Sequence, residues 1–260
     1  MGKSSGASLS LVIGDAHVAP NQNLRRFIWA NKYVRFLQQK QDGLRLVIIG
    51  DFLTMDSLSA WDKDKRKKME GRRYQADIDC GKEALNYLLE GVDKEVEIVY
   101  TEGNHEERTA RYVDYHPELD GKLSVEQDLL TSIREDGYTV HYVPYKEDWT
   151  FKGVSFTHVP IQESGKPIGG KTATQKALSI YNNSVVFGHT HKFDVACEHR
   201  HNAAHLNQAI NVGCFFEHVD EYAKGSITSY WRGLVLLDHY STNRVDITTL
   251  SLGNLQSYYK

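Results

Sequence analysis

Three cysteines in 260 residues, Cys80, Cys197 and Cys214, are too few and too irregularly spaced for a disulfide framework. They read as reduced thiols, which predicts a cytoplasmic chain. Long apolar runs are missing as well. Nothing approaches the roughly 20 residues of a membrane helix. The first run, Leu9 to Ile13, is shorter than the core of about 7–15 residues that a leader peptide needs. The expectation is a chain with neither a membrane span nor a signal peptide. Charge of one sign is scarce: the net charge is −3, so there is no overall basic field for nucleic acid, although a local patch stays compatible with it. Internal repeats and low-complexity linkers are absent too, and residues 1–260 are expected to form a single domain. Gly2-Lys3-Ser4 shares only the tail of a phosphate-binding P-loop and follows no strand, so it is discounted.

What is present is ordinary globular material, 40% hydrophobic and 25% charged, with an unusual wealth of histidine, twelve in all. In the first half, short apolar runs alternate with helical periodicity. Leu9 to Ile13, Leu44 to Ile49 and Val96 to Tyr100 read as strands, with helices predicted over roughly 23–40 and 75–90. Strand, helix, strand implies parallel strands with helical crossovers. The second half carries strand candidates at 139–143, 149–157, 184–187, 193–197, 208–212, 234–238 and 245–250. Helical pattern is confined there to about 106–115, 124–135 and 171–181. This predicts a second, mixed or antiparallel sheet, and so an α/β domain of two packed sheets with helices outside. Gly165 to Gly170 is the clearest flexible segment.

The chemistry sits at strand ends. Three early strands end in glycine plus a polar residue: Gly14-Asp15-Ala16-His17, Gly50-Asp51 and Gly103-Asn104-His105-Glu106. A late one ends in Gly188-His189-Thr190-His191. Glycine lets the chain turn sharply, and the carboxyl edge of a parallel sheet is where α/β folds place their sites. The segments are therefore expected to converge in space. Asp15 and Asp51 offer carboxylate oxygens, Asn104 a neutral oxygen, and His17, His158, His189 and His191 imidazoles. Such a mixed set suits Mn²⁺, Fe²⁺, Zn²⁺ or Ni²⁺. It is too large for one ion, but with a shared carboxylate it fits two ions about 3.5–4 Å apart.

The ordered series Asp-x-His, Gly-Asp, Gly-Asn-His-Glu, a lone His and Gly-His-x-His resembles the calcineurin-like metallophosphoesterase superfamily, over residues 14–191. The resemblance implies a four-layer α/β/β/α sandwich of two mixed sheets. It implies one metal held by Asp15, His17, Asp51 and His191, and a second held by Asp51 as bridge with Asn104, His158 and His189. His105 would not bind metal but would act on the substrate phosphate as general acid or transition-state stabiliser. Two divalent transition metals are implied as cofactors, Mn²⁺ foremost, with Fe, Zn or Ni as alternatives. His116 and His141 compete with His158 for the lone-His role. Many members carry an aspartate three residues after the bridging one, paired with the catalytic histidine. Thr54 stands there in this chain, so Asp56, Ser57 or neither orients His105.

The substrate is less legible. Residues 61–73 hold seven basic and three acidic side chains, among them Lys67 and Lys68. They read either as a grip on a phosphate backbone or as a solvated charged helix. Arg108 and Arg111 follow His105 on one helix and either reach a substrate phosphate or pair with Glu107 or Asp114. His199, His201 and His205 suggest a metal tract or a solvated loop. The reading is a metal-dependent phosphoric ester hydrolase acting on a phosphomonoester or phosphodiester, with a lean toward nucleotides or nucleic acid such as DNA. Rival readings are an exonuclease-like DNA nuclease, a protein or small-molecule phosphatase, and a non-catalytic scaffold. The scaffold member of the superfamily lacks the histidine that this chain has at His105.

Overall fold

A computed structural model describes residues 9–40, 43–199, 206–217 and 230–260. Its strands form two sheets. The first takes β1 (Leu9–Ile13), β2 (Leu44–Ile48), β3 (Glu97–Thr101), β4 (Val140–Val143), β10 (Gly233–Ser241) and β11 (Arg244–Ser251), in the order β11-β10-β1-β2-β3-β4. The β1 to β4 strands run parallel, with Leu9 opposite Leu44 and Ile13 opposite Ile48. Strand β10 is antiparallel to β1 and β11 is antiparallel to β10. The second sheet takes β5 (Trp149–Phe151), β6 (Val154–Phe156), β7 (Ser184–Phe187), β8 (Phe193–His199) and β9 (Leu206–Val212), in the order β5-β6-β7-β9-β8. Both sheets are mixed.

Side-chain alternation sets the layers. On β1 and β2, Leu9, Leu11, Ile13, Leu44, Leu46 and Ile48 face one way into a core shared with helices. These are α1 (Arg25–Lys40), α3 (Tyr74–Leu89), α5 (Val125–Glu135) and α7 (Leu252–Tyr259). Their buried residues recur at helical intervals, as with Phe27, Ala30, Val34 and Leu37 on α1. Val12, Val47, Ile49 and Val99 face the other way, against Val154, Phe156, Val186 and Ile210 of the second sheet. The far side of that sheet, Val185, Phe187 and Ala209, is covered by Ala177 and Leu178 of α6 (Ala173–Ile180). The result is helix, sheet, sheet, helix. A strand buried on both faces is largely apolar, and the two polar side chains on β1 and β2 are paired, Ser10 with His239 and Arg45 with Glu97.

The structure corrects the sequence reading in four places. The run 149–157 is a hairpin, because Lys152 and Gly153 both adopt positive φ, 47° and 76°, and reverse the chain. Strands β4, β10 and β11 belong to the first sheet. Helix α7 was not expected; only Leu252 and Leu255 are buried, and Ser251 caps it by accepting from the Asn254 N–H. The 165–170 stretch is pinned rather than loose: Ile168 is buried, and its N–H donates to the Pro160 carbonyl at 2.8 Å. No disulfide joins the cysteines, and no helix among the described residues is long and apolar enough to cross a membrane.

His239 on β10 is a buried histidine with a structural role. Its Nε2 lies 2.9 Å from Ser10 Oγ on β1, and Phe151 packs edge-on against it. Burial, aided by the charge of Arg45, pushes its pKa from 6.5 down to about 4. The unfolded chain therefore takes up this proton first, and stability falls as pH drops from about 6.5 toward about 4. The expected loss is about 2 kcal/mol between pH 7 and pH 5. Urea unfolding at the two pH values should show His239→Gln losing that much less stability than the wild type; equal pH dependence in both proteins would refute the assignment.

Candidate metal centre

The carboxyl ends of β1, β2, β3, β6 and β7 come together at one edge of the sandwich, and each delivers one group of the sequence motif. Tight turns are needed, and the glycines allow them. Gly50 has φ 88°, and a Cβ there would sit 2.6 Å from the His158 ring. A Cβ on Gly103 would collide with the Asp51 backbone and carboxylate. The ligand-type residues are themselves bent: φ is 45° at His17, 46° at Asp51, 66° at His189 and 60° at His191. Left-handed backbone is uncommon outside glycine, although Asp and His tolerate it better than most. The turns are tied to each other. The Asp51 carbonyl accepts from the N–H groups of Ala16 and His17, at 3.0 and 2.9 Å.

The two buried aspartates use their oxygens alike. Asp15 Oδ1 accepts from the His189 N–H at 3.0 Å, and Asp51 Oδ1 accepts from the His105 N–H at 2.8 Å. In each, Oδ2 is left facing the interior of the site. Asp15 Oδ2 lies 3.1 Å from His191 Nε2 yet makes no hydrogen bond. Asp51 Oδ2 lies 3.5 Å from His158 Nε2, and 4.0 Å from both His17 Nε2 and His105 Nε2. His17 and His191 bring their Nε2 atoms within 3.1 Å of each other. His158 donates from Nδ1 to the Ile49 carbonyl at 2.9 Å, so its neutral ring would present a bare Nε2 to the site, 3.1 Å from Asn104 Oδ1. Three groups of potential ligand atoms follow, each within 4.8 Å: Asp15, His17 and His191; Asp51, His158 and His189; and His17, Asp51 and His105.

Electrostatics favours a cation here. Among the described residues, the basic neighbours of Asp15 and Asp51 at ion-pair distance are histidines. Burial alone would raise both carboxyls, but the surrounding rings hold them below the usual range, His191 for Asp15 and His158 for Asp51. Burial, with the charge of His105, brings His17 down to about 3, and burial with His158 lowers His189. His158 is raised instead, because Asp51 and Asp15 outweigh its burial. Ionised carboxylates beside mostly neutral imidazoles are the protonation states a metal requires. Asp15 Oδ2 and His17 Nδ1 are buried with no hydrogen-bond partner, a costly arrangement unless something else meets them. The residues therefore fit a divalent metal pair.

His105 stands beside this cluster. Its ring meets that of His17 edge-on at 4.6 Å. Its Nδ1 donates to the Thr54 carbonyl at 2.8 Å. Neither Asp56 nor Ser57 orients it. Asp56 opens a 3₁₀ turn (Asp56–Leu58) and pairs with Arg72 and Arg108 at 3.4 and 3.5 Å, while Ser57 donates to Asp77. Because a carbonyl can only accept, the neutral ring carries its proton on Nδ1, and Nε2 faces Arg108 Nη2 at 3.3 Å. Burial lowers the His105 pKa; Asp51 opposes this and Arg108 adds to it.

Of the other candidates, Arg108 and Arg111 touch the loops that carry the site. Arg108 turns into the site, donating to the Thr54 carbonyl at 2.9 Å. Arg111 pairs with Glu107 and donates to the Asn104 carbonyl at 3.1 Å. Lys67 and Lys68 lie on α2 (Arg66–Met69), and Lys68 pairs with Asp62 at 3.7 Å. Asp62 also meets Lys65 and Arg72, so the basic segment neutralises part of its own charge. His116 stacks on Tyr112, and His141 pairs with Glu97 at 2.9 Å. Neither reaches the cluster. His199 is exposed at the end of β8, and His201 and His205 lie outside the described residues.

Two contributors carry no assignment in the sequence reading. Glu106, fully buried, accepts from the N–H groups of Asp51, Leu53 and Gly103 and from the Tyr100 hydroxyl, at 2.8–3.0 Å. It fastens the β2 loop to the β3 loop, and its position directly after His105 was the available signal. Phe216 packs edge-on against His17 and His191, both at 5.2 Å, as an apolar wall.

A family model described as calcineurin-like phosphoesterase matches residues 10–193. Among solved structures, the chain is similar to Vps29 of Chaetomium thermophilum, at 12% identity and a TM-score of 0.37, covering 94% of this chain and 97% of that one. No curated protein matches the chain.

Proposed function

The chain belongs to the calcineurin-like phosphoesterase family, and from that premise we propose that it hydrolyses a phosphomonoester or phosphodiester at a dinuclear metal centre. The observation that carries this reading is the position of Asp51 Oδ2, 4.0 Å from His17 Nε2 in one group of ligand atoms and 3.5 Å from His158 Nε2 in the other. Asp15, His17, Asp51 and His191 would hold one ion, and Asp51, Asn104, His158 and His189 the other. When bound, two divalent transition-metal ions, Mn²⁺ foremost, supply Lewis-acid polarisation of the phosphoryl group and make water acidic enough to attack near neutral pH.

The chain's own groups do the rest. Asn104 offers an oxygen without adding negative charge near an anionic substrate. Arg108, beside His105, neutralises charge that builds on the phosphoryl oxygens. His105 donates a proton from Nε2 to the leaving oxygen. For this the ring must carry a second proton, since Nδ1 already donates to Thr54. Burial opposes that protonation, while the Asp51 carboxylate and an arriving phosphate favour it. Such acid catalysis contributes typically about 10²–10⁴-fold.

The test is a metal-by-substrate panel with p-nitrophenyl phosphate and its bis ester. The stripped protein should be inactive and Mn²⁺ should restore turnover. His105→Ala should keep its metal and lose about 10²–10⁴-fold in kcat. No turnover by the loaded protein on any ester would overturn the hydrolase reading. Full activity in the variant would remove the role given to His105.

A further inference from the structure

Helix α4 (Arg108–Tyr115) is nearly bare: Thr109 is its one buried residue. Arg108, Arg111, Tyr112 and Tyr115 fall at i, i+3, i+4 and i+7, and so share one face. That face lines a cavity of about 660 Å³ together with Leu58, Met69 and Lys63. Arg108 belongs to both places. Its Nη2 is 3.3 Å from His105 Nε2, and the same side chain lines the cavity. From Arg108 the stripe runs away from the catalytic histidine toward Tyr115, which is 84% exposed, and Tyr112 is already in a stack with His116 at 4.3 Å and 30°.

We infer that this cavity holds the base of a nucleoside phosphate ester whose phosphate lies at the metal centre. The inference rests on the phosphoesterase reading for the position of the phosphate. Phenol rings, guanidinium planes and a methionine form a surface on which a flat aromatic group stacks. Among the described residues no acidic side chain lines the cavity, so nothing there favours a cationic organic group. The volume lies in the range of small-ligand pockets and well exceeds a single phenyl ring. The stripe runs about 10 Å along the helix from Arg108 to Tyr115, and Lys63 adds positive charge beside Arg111, which already pairs with Glu107.

The test is calorimetric titration of the Mn²⁺-loaded full chain with AMP, ribose 5-phosphate and phenyl phosphate. Wild-type protein should bind AMP at least about tenfold more tightly than the other two, a preference in the range of one base–aromatic stack. Tyr112→Ala/Tyr115→Ala should bring AMP and ribose 5-phosphate within two- to threefold, on the order of the uncertainty between paired titrations. Tyr112→Phe/Tyr115→Phe keeps the rings and should keep the preference. Equal affinities in the wild type, or a preference that survives the alanine pair, would overturn the inference. So would phenyl phosphate matching AMP. Turnover of p-nitrophenyl phosphate, its bis ester and AMP by the same preparation separates the two claims. Turnover of any of them without AMP preference refutes the base cavity alone; AMP preference with turnover of none supports the cavity and refutes the hydrolase.

Discussion

Asp51→Asn should abolish hydrolysis and reduce bound metal from two ions per chain to one or none. The variant can still accept the His105 N–H through Oδ1, a bond of 2.8 Å in the wild type, so the turn keeps its anchor. The change falls on the other atom. An amide NH₂ replaces the Oδ2 that faces His17, His105 and His158, and it presents hydrogens where a cation would need a lone pair. A charge is lost as well, in a pocket that burial makes poorly screened. Losing several kcal/mol of metal-based stabilisation lowers kcat by about 10³-fold or more. Elemental analysis of the purified chain, with turnover on p-nitrophenyl phosphate, measures both parts. Retention of two ions together with full activity would show that Asp51 bridges nothing.

Glu106→Ala should destabilise the fold by about 3–5 kcal/mol, the range for breaking a buried charged network. Its carboxylate takes four donors, from Asp51, Leu53, Gly103 and Tyr100, and none of them can turn to water. Removing the acceptor strands three backbone N–H groups and a phenol in the interior. Burial, with the charge of Asp51, pushes the Glu106 carboxyl up to about 7, while the Leu53 N–H pulls it down, so the donors are what keep it able to accept. Glu106→Gln retains one oxygen and should lose less than the alanine variant. Denaturant unfolding gives the size, and metal affinity should fall with it, because the Asp51 turn separates from the Asn104 and His105 turn. A destabilisation below about 1 kcal/mol would mean that other contacts hold the two turns.

Much of the site could be read from the chain because its requirements are local. A strand, a glycine and a ligand-type residue lie within a few positions of one another, and the glycines at 50 and 103 are needed by atoms packed against them. His158 could be separated from His116 and His141 only by where the second sheet sets it down, 3.1 Å from Asn104. The partner of His105 was illegible for a different reason. A backbone carbonyl, that of Thr54, leaves no trace in residue identity. Strand pairing was hidden likewise. Strands β10 and β11 are apolar on the faces they bury, and that pattern names no neighbour. The register of Leu234 against Ile13 decides the sheet, and it is a long-range fact. In α4 the arginines drew notice as charges, while the tyrosines that follow them became informative only when an empty space appeared in front of both.

The left-handed backbone at His17, Asp51, His189 and His191 sets two demands against each other. Each position carries strain on the order of 1 kcal/mol that glycine would relieve. A glycine there would ease the turn and empty a place in the cluster of carboxylates and imidazoles, so a sturdier chain obtained this way would have fewer groups to offer a cation.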